Sequence, residues 1–376
     1  MKVIIAPDSY KGALRAGNVA AALADGWKQV RPDDEIITIG LSDGGEGMAE
    51  SLALARNGRF ISIQTTDALM RPITAKAVLM GRTAVLETAE ANGIERLTKP
   101  ELDPLKATTY GVGTMMKHLL DAGCREFITG IGGSATVDGG AGMMQALGAE
   151  FFDASGKLLP SGIGGGSLDK ISRAELSGID PRLAECRIVT ACDVTNPLCG
   201  KTGSAAVFGP QKGASEEMVV TLDKNLAHFA ALFQDSGDHP GDGAAGGLGF
   251  ALRKLLNAEL VSGAELILKE SGFDEAVKDA SLIITGEGCS DEQTAYGKLC
   301  SVVAAHGKTY GVPTILVSGA LKGDTAALEA CFAGCYSIGK GPSSLEDAIR
   351  QTAENLRRMG SNLAWAVSLG KSKMRG

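Results

Sequence analysis

The stretch Ile131–Gly142 reads Ile-Gly-Gly-Ser-Ala-Thr-Val-Asp-Gly-Gly-Ala-Gly. An apolar run, Phe127-Ile128-Thr129, precedes it, and Met143-Met144-Gln145-Ala146-Leu147 follows. That order predicts a strand, a glycine loop and then a helix. The first-turn amides of a helix are unpaired and its dipole is positive at that end, so an anion is well held there. Gly132, Gly133, Ser134 and Asp138 are therefore candidates for binding substrate or phosphate. Three further segments repeat the theme: Pro7–Gly12, Ser42–Gly47, and Gly286-Glu287-Gly288 running on to Gly297-Lys298. They add Asp8, Ser9, Gly44, Gly45, Gly286, Glu287, Asp291, Gln293 and Lys298 to the candidates. Each loop follows a short apolar run and mixes glycine with a carboxylate. Repetition of that pattern in one chain points to chemistry on phosphate.

Phosphoryl transfer needs charge neutralisation around the γ-phosphate, an in-line acceptor and usually Mg²⁺. Lys11 follows a strand end, where an ammonium can meet a phosphate or a substrate carboxylate. Asp43, among glycines, and Asp193, after a strand, can each act as general base or hold Mg²⁺ through water. Each has a plainer role open to it, since loops use Asp as a turn residue and Lys as a solvated charge. No Gly-x-x-x-x-Gly-Lys-Ser/Thr loop is present, because Gly200-Lys201-Thr202 lacks the first glycine. A formal Gly-x-Gly-x-x-Gly at Gly241, Gly243 and Gly246 has no strand before it, so the dinucleotide reading fails on context. No ligand set for a metal is assigned.

The elements that must position these groups follow the apolar periodicity. Lys2–Ala6 is a short buried strand, Asn18 is placed to cap a helix through Val19, Leu23, Trp27 and Val30, and Glu35–Leu41 is a second strand. Such a unit is parallel, and ligands in open α/β sheets sit beyond the carboxyl ends of the strands. Phe60–Gln64, Ile73–Met80 and Ala84–Glu87 instead look like antiparallel neighbours joined by short turns. Arg187–Ala191 is a strand delivering Asp193, and Ser215 starts a long helix through Val219, Leu222, Leu226, Phe229 and Phe233. The winding pattern returns at Leu282–Thr285, Lys298–His306 and Thr314–Ser318. The expected class is α/β with two α/β domains. A discontinuous first domain spans 1–65 plus 275–376, and 66–274 is an inserted second domain of mixed texture.

The chain has 376 residues, enough for two cores, and its net charge of −7 with no basic stripe argues against a nucleic-acid partner. No apolar run approaches the roughly 20 residues of a membrane helix, and the apolar start is too short for a signal peptide, so a cytoplasmic protein is expected. The eight cysteines form no Cys-x-x-Cys pair and the four histidines no His-x-x-x-His pair. Reduced thiols and ordinary side chains are expected.

The chain resembles the bacterial type I glycerate kinase family almost end to end. The resemblance rests on Ala6–Gly12, Ser42–Gly47, Gly130–Thr136, Asp138–Gly142, Cys192–Leu198, Phe208–Gly213, Gly243–Gly249, and Thr285–Gly288 with Asp291, Gln293-Thr294 and Gly297-Lys298. It implies transfer of the ATP γ-phosphate, with Mg²⁺, to a hydroxyl of D-glycerate, giving 2-phosphoglycerate. It also implies that one domain is flavodoxin-like with a parallel sheet, and that the site lies in the cleft between the domains. On matching positions it makes Asp193 the base, with Asp43 and Lys11 beside it. Two positions depart from the family pattern: Cys289 stands where Arg is usual, and Val137 where Asn is usual. Losing an Arg removes a planar, bidentate anion partner. The competing readings are a kinase for another short hydroxy acid and a non-catalytic glycerate- or nucleotide-binding sensor.

Overall fold

A computed structural model describes residues 1–42, 45 and 47–372. The chain divides into two compact units. The first comprises Met1–Asp43, Leu54–Arg56 and Ala264–Gly376, and the second Gly44–Ala53 and Asn57–Gly263. Against expected boundaries at 65 and 275, the divisions fall at 43 and 263, with a brief return to the first unit at Leu54–Arg56.

The first unit is built on a five-stranded sheet of Lys2–Ile5, Glu35–Thr38, Leu282–Thr285, Thr314–Ser318 and Gly334–Ser337. All neighbours are parallel. Numbered by order along the chain, the strands lie 2-1-3-4-5, the flavodoxin-like arrangement. The two central strands read as unbroken apolar runs, because both faces of a parallel sheet are covered. Val3, Ile4 and Ile5 are fully buried, as are Ile283 and Ile284. The Ala16–Val30 helix packs one face with Thr352–Ser372. Gly26 and Gly360 make this close crossing possible, since a Cβ on Gly26 would lie 1.8 Å from the Arg357 carbonyl oxygen.

That first helix starts two residues before its expected cap. Arg15 precedes it, its carbonyl accepts the amides of Asn18 and Val19, and Asn18 lies inside the first turn. A short bridge between Tyr10 and Leu14 precedes this start, and Asn18, as the third helical residue, is already past the cap position.

The second unit carries a six-stranded mixed sheet in the spatial order Glu259–Val261, Arg187–Ala191, Glu126–Gly130, Thr83–Glu87, Pro72–Met80 and Arg59–Thr66. The first four are mutually parallel and the last two join antiparallel. In its core Phe151, Phe229 and Phe250 are fully buried, and Phe229 meets both of the others edge-on. Ser215 caps the Glu216–Leu232 helix by accepting the Met218 amide at 3.2 Å. Gly241–Gly249 follows no strand. All eight cysteines are free. Among the described residues no helix is long and apolar enough to cross a membrane.

Candidate active site

In the first unit the candidate loops leave the carboxyl ends of adjacent parallel strands. Pro7–Gly12 follows Lys2–Ile5, and Gly286-Glu287-Gly288 follows Leu282–Thr285. The two are stitched together: the Asp8 amide donates to the Gly286 carbonyl and the Thr285 hydroxyl to the Ala6 carbonyl, both at 2.8 Å. Gly286 has to be glycine, because a Cβ there would sit 1.7 Å from the Val317 carbonyl oxygen. The same oxygen accepts the buried Tyr10 hydroxyl at 2.7 Å. Burial pushes the Tyr10 phenol well up, reinforced by Cys300 and Glu287, so it is a structural donor. Asp8 lies in this seam, its carboxylate accepting the Ser9 amide at 2.5 Å.

The Glu287 carboxylate is committed locally. One oxygen accepts Ser290 Oγ at 2.9 Å and Thr294 Oγ1 at 2.7 Å, and Ser290 in turn meets Ser318 at 2.6 Å. Asp291 caps the Glu292–Ala295 turn by accepting the Gln293 amide at 3.0 Å, while Lys298 Nζ lies 3.8 Å from it. Lys11, Gln293 and Lys298 are exposed. Cys289, also exposed, starts the short Cys289–Ser290 strand that pairs in parallel with Ala320–Leu321.

In the second unit, Glu126–Gly130 delivers the chain to the Ile131–Gly140 loop and the Ala141–Ala146 helix, the predicted strand, loop and helix. The loop is anchored along its length. The Ile94 amide donates to Gly133 and the Ala135 amide to Asn92, each at 2.8 Å. Asp138, fully buried, accepts the Thr109 amide at 2.7 Å, the Thr109 hydroxyl at 2.8 Å, and the amides of Gly140 and Gly142 at 3.2 and 3.3 Å. Burial raises its pKa against the pull of those donors. Asp138 thus braces the loop from within. Val137 is likewise wholly buried and belongs to the apolar core.

Gly132 lies against Gly45, where a Cβ on Gly132 would be 3.4 Å from the Gly45 Cα. The Met48–Ala55 helix that follows Gly45 takes an oxygen of Glu87 on the Ala49 amide at 2.8 Å. Asp193 is exposed beyond the Arg187–Ala191 strand, and one of its oxygens accepts the Gly263 amide at 2.8 Å and the Ser262 hydroxyl at 3.2 Å. Gly132, Gly133, Ser134 and Asp193 therefore follow strand ends at the carboxyl edge of the parallel part of this sheet, and Gly45, which precedes a helix, lies against Gly132. Asp43 and Gly44 lie outside the described residues.

One residue in this region escaped the sequence reading. Lys212 ends the Pro210–Lys212 turn, where flanking Gly and Pro suggest a solvated charge, yet it is 2% exposed. Its Nζ donates to Ser134 Oγ and to the Thr136 carbonyl, both at 2.8 Å. Burial drives its pKa down to about 7, against the upward pull of Asp138. The signal available was the quoted motif itself, but nothing in its spacing said which way the lysine turns.

Comparison with known proteins decides what these loops belong to. The family model described as the glycerate kinase family matches residues 3–368. The chain belongs to the glycerate kinase family. It is 42% identical to a glycerate 2-kinase of Escherichia coli K12, covering 98% of this chain and 99% of the relative. Against a glycerate kinase of Bacillus subtilis 168 the identity is 43%, with 99% of both chains covered. The crystal structure of a Salmonella typhimurium LT2 protein assigned as glycerate kinase 2 superposes with a TM-score of 0.90 at 41% identity, over 99% of each chain. As a member of this enzyme family the chain carries the kinase fold end to end.

Proposed function

We propose that this chain transfers the γ-phosphate of ATP to a hydroxyl of D-glycerate, giving 2-phosphoglycerate and ADP. The observation that carries the reading is full-length membership of the glycerate kinase family, with a glycerate 2-kinase among the relatives. In the proposed step the acceptor oxygen bonds to the γ-phosphorus as the bond from that phosphorus to the β,γ-bridging oxygen breaks. ADP leaves with the bond's electrons, and the hydroxyl proton passes to the Asp193 carboxylate. Supporting that role, Asp193 is exposed on a strand-end loop, and its two donors hold one oxygen at a fixed place. Asp43 is assigned as a second carboxylate of the reaction, and the exposed Lys11 as positive charge for a phosphate or carboxylate.

The glycine loops are assigned to oxyanion binding through Gly45, Gly132, Gly133 and Ser134 in one unit. In the other, Asp8, Ser9, Gly286, Glu287, Asp291, Gln293 and Lys298 are assigned to nucleotide or acceptor. Among the described residues no three His, Cys, Asp or Glu side chains are gathered for a metal ion. Mg²⁺ is proposed to come with the triphosphate, as part of the substrate, where it neutralises phosphate charge.

The test is ADP release from MgATP on adding D-glycerate, with L-glycerate as control and phosphorus NMR of the product. Release that depends on D-glycerate, with the signal of a 2-phosphate ester, is the expected result. ATP and glycerate binding without ADP release would favour a sensor, and turnover of a different short hydroxy acid would move the substrate.

A further inference from the structure

A buried lysine needs a reason, since an ammonium without water is costly and an aliphatic side chain would fill the same space. Lys212 is not required to tether the backbone of the Ile131–Gly140 loop. The bonds from Ile94 and Ala135 and the four donors on Asp138 already do that. Its particular effect is on the Ser134 hydroxyl. An oxygen that accepts from a lysine N–H keeps its own proton for donation elsewhere, and among the described residues nothing accepts that proton.

The surroundings carry a second, independent sign of a ligand. Asn92 donates its amide nitrogen to Thr136 Oγ1 at 3.1 Å, but Asn92 Oδ1 and Thr88 Oγ1 are buried without a partner among the described residues. Both residues are 1% exposed, and both are tied to this same strand and loop, Thr88 through the Gly130 carbonyl and Asn92 through the Ala135 amide. Native interiors leave few polar atoms unpaired, and each such atom calls for a partner such as a ligand, an ion or a water.

We propose that Lys212 is a positioning residue that aims the Ser134 hydroxyl as a donor to an anionic oxygen of the substrates. The inference rests on the kinase reading of this loop and deepens it. Carboxylate oxygens of glycerate and phosphate oxygens of ATP share the required chemistry, and the experiment separates them.

The experiment compares the full chain with Lys212→Met, Ser134→Ala and the double variant. Dissociation constants for D-glycerate and for ATP are read by titration calorimetry, alongside kcat and KM. Each single change is expected to weaken one of the two ligands about ten-fold. The double variant is expected to bind within about two-fold of Lys212→Met, because the two residues act through one hydrogen bond. The ligand that weakens identifies the source of the oxygen. Ser134→Ala removes only a hydroxyl and is decisive even should Lys212→Met fail to fold. Unchanged affinity for both ligands in Ser134→Ala, or single effects that multiply in the double variant, overturns the proposal. Wild-type protein that binds both ligands without turnover sinks the kinase reading, while the variant affinities still decide the role of Lys212.

Discussion

Substituting Lys212 by Met should change how stability depends on pH, and the size follows from the lysine's surroundings. Burial lowers the Lys212 pKa from 10.5 to about 7 in the folded chain. Between those values the unfolded chain binds a proton that the folded chain does not, so stability rises with pH across the window. Below about pH 7 both states hold the proton, and the full penalty of burying it is paid. At about 1.4 kcal/mol per pH unit, the rise between pH 7 and 9.5 is about 3 kcal/mol. Met carries no charge and removes this slope. It also leaves Ser134 Oγ and the Thr136 carbonyl without their donor, at a pH-independent cost of about 1–3 kcal/mol for each buried group. The two effects oppose each other near pH 7 and separate at alkaline pH. Urea denaturation followed by circular dichroism at pH 7, 8 and 9.5 should show the wild type gaining on the variant by about 3 kcal/mol from end to end. A difference that stays constant over that range refutes the reasoning, because a lysine reaching water has no depressed pKa to lose.

Other outcomes are expected on independent grounds. Asp193→Asn should cut kcat by about a hundred-fold or more with a melting temperature close to wild type; wild-type turnover with lowered stability would reduce Asp193 to a cap on Ser262 and Gly263. His306 is pulled down by burial but raised overall by Asp274 and Glu265, 2.7 and 3.0 Å from its ring nitrogens. A folded pKa above the unfolded one stabilises fully below about pH 6.5 and is lost as pH climbs through the folded value. His306→Gln should therefore destabilise more at pH 5.5 than at pH 8.5, and equal losses would contradict the pairing. Asp34 gathers the terminal amine at 2.8 Å, Trp27 Nε1 at 3.0 Å and Arg31 Nε at 2.5 Å, so Asp34→Ala should cost about 3–5 kcal/mol in urea denaturation. Cys289→Arg restores a guanidinium at an exposed position and should lower KM for ATP or glycerate, whereas unchanged kinetics would confine that position to loop support.

Much of the architecture was legible because parallel sheets bury both faces and so write unbroken apolar runs into the chain. Lys2–Ile5, Leu282–Thr285 and Thr314–Ser318 announce themselves in that way. The glycine loops after such runs were equally legible, as were the antiparallel neighbours beginning at Arg59. Of the helix starts, Ser215 is where the sequence puts it, whereas the first helix begins at Ala16, ahead of Asn18.

The sequence by itself determined the family, through its ordered motifs, and the α/β class, through its apolar periodicity. Which carboxylates and amines face water was decided only by the tertiary structure. Asp138 and Asp193 both sit in polar, strand-end motifs, yet one is sealed inside a loop by four donors and the other is exposed. Lys11 and Lys212 each stand beside a glycine, yet only Lys212 is buried. The partners that seal Asp138 and Lys212, Thr109 and Ser134, lie 29 and 78 residues away along the chain. Desolvation depends on what the fold brings within a few ångströms, and no local spacing records it.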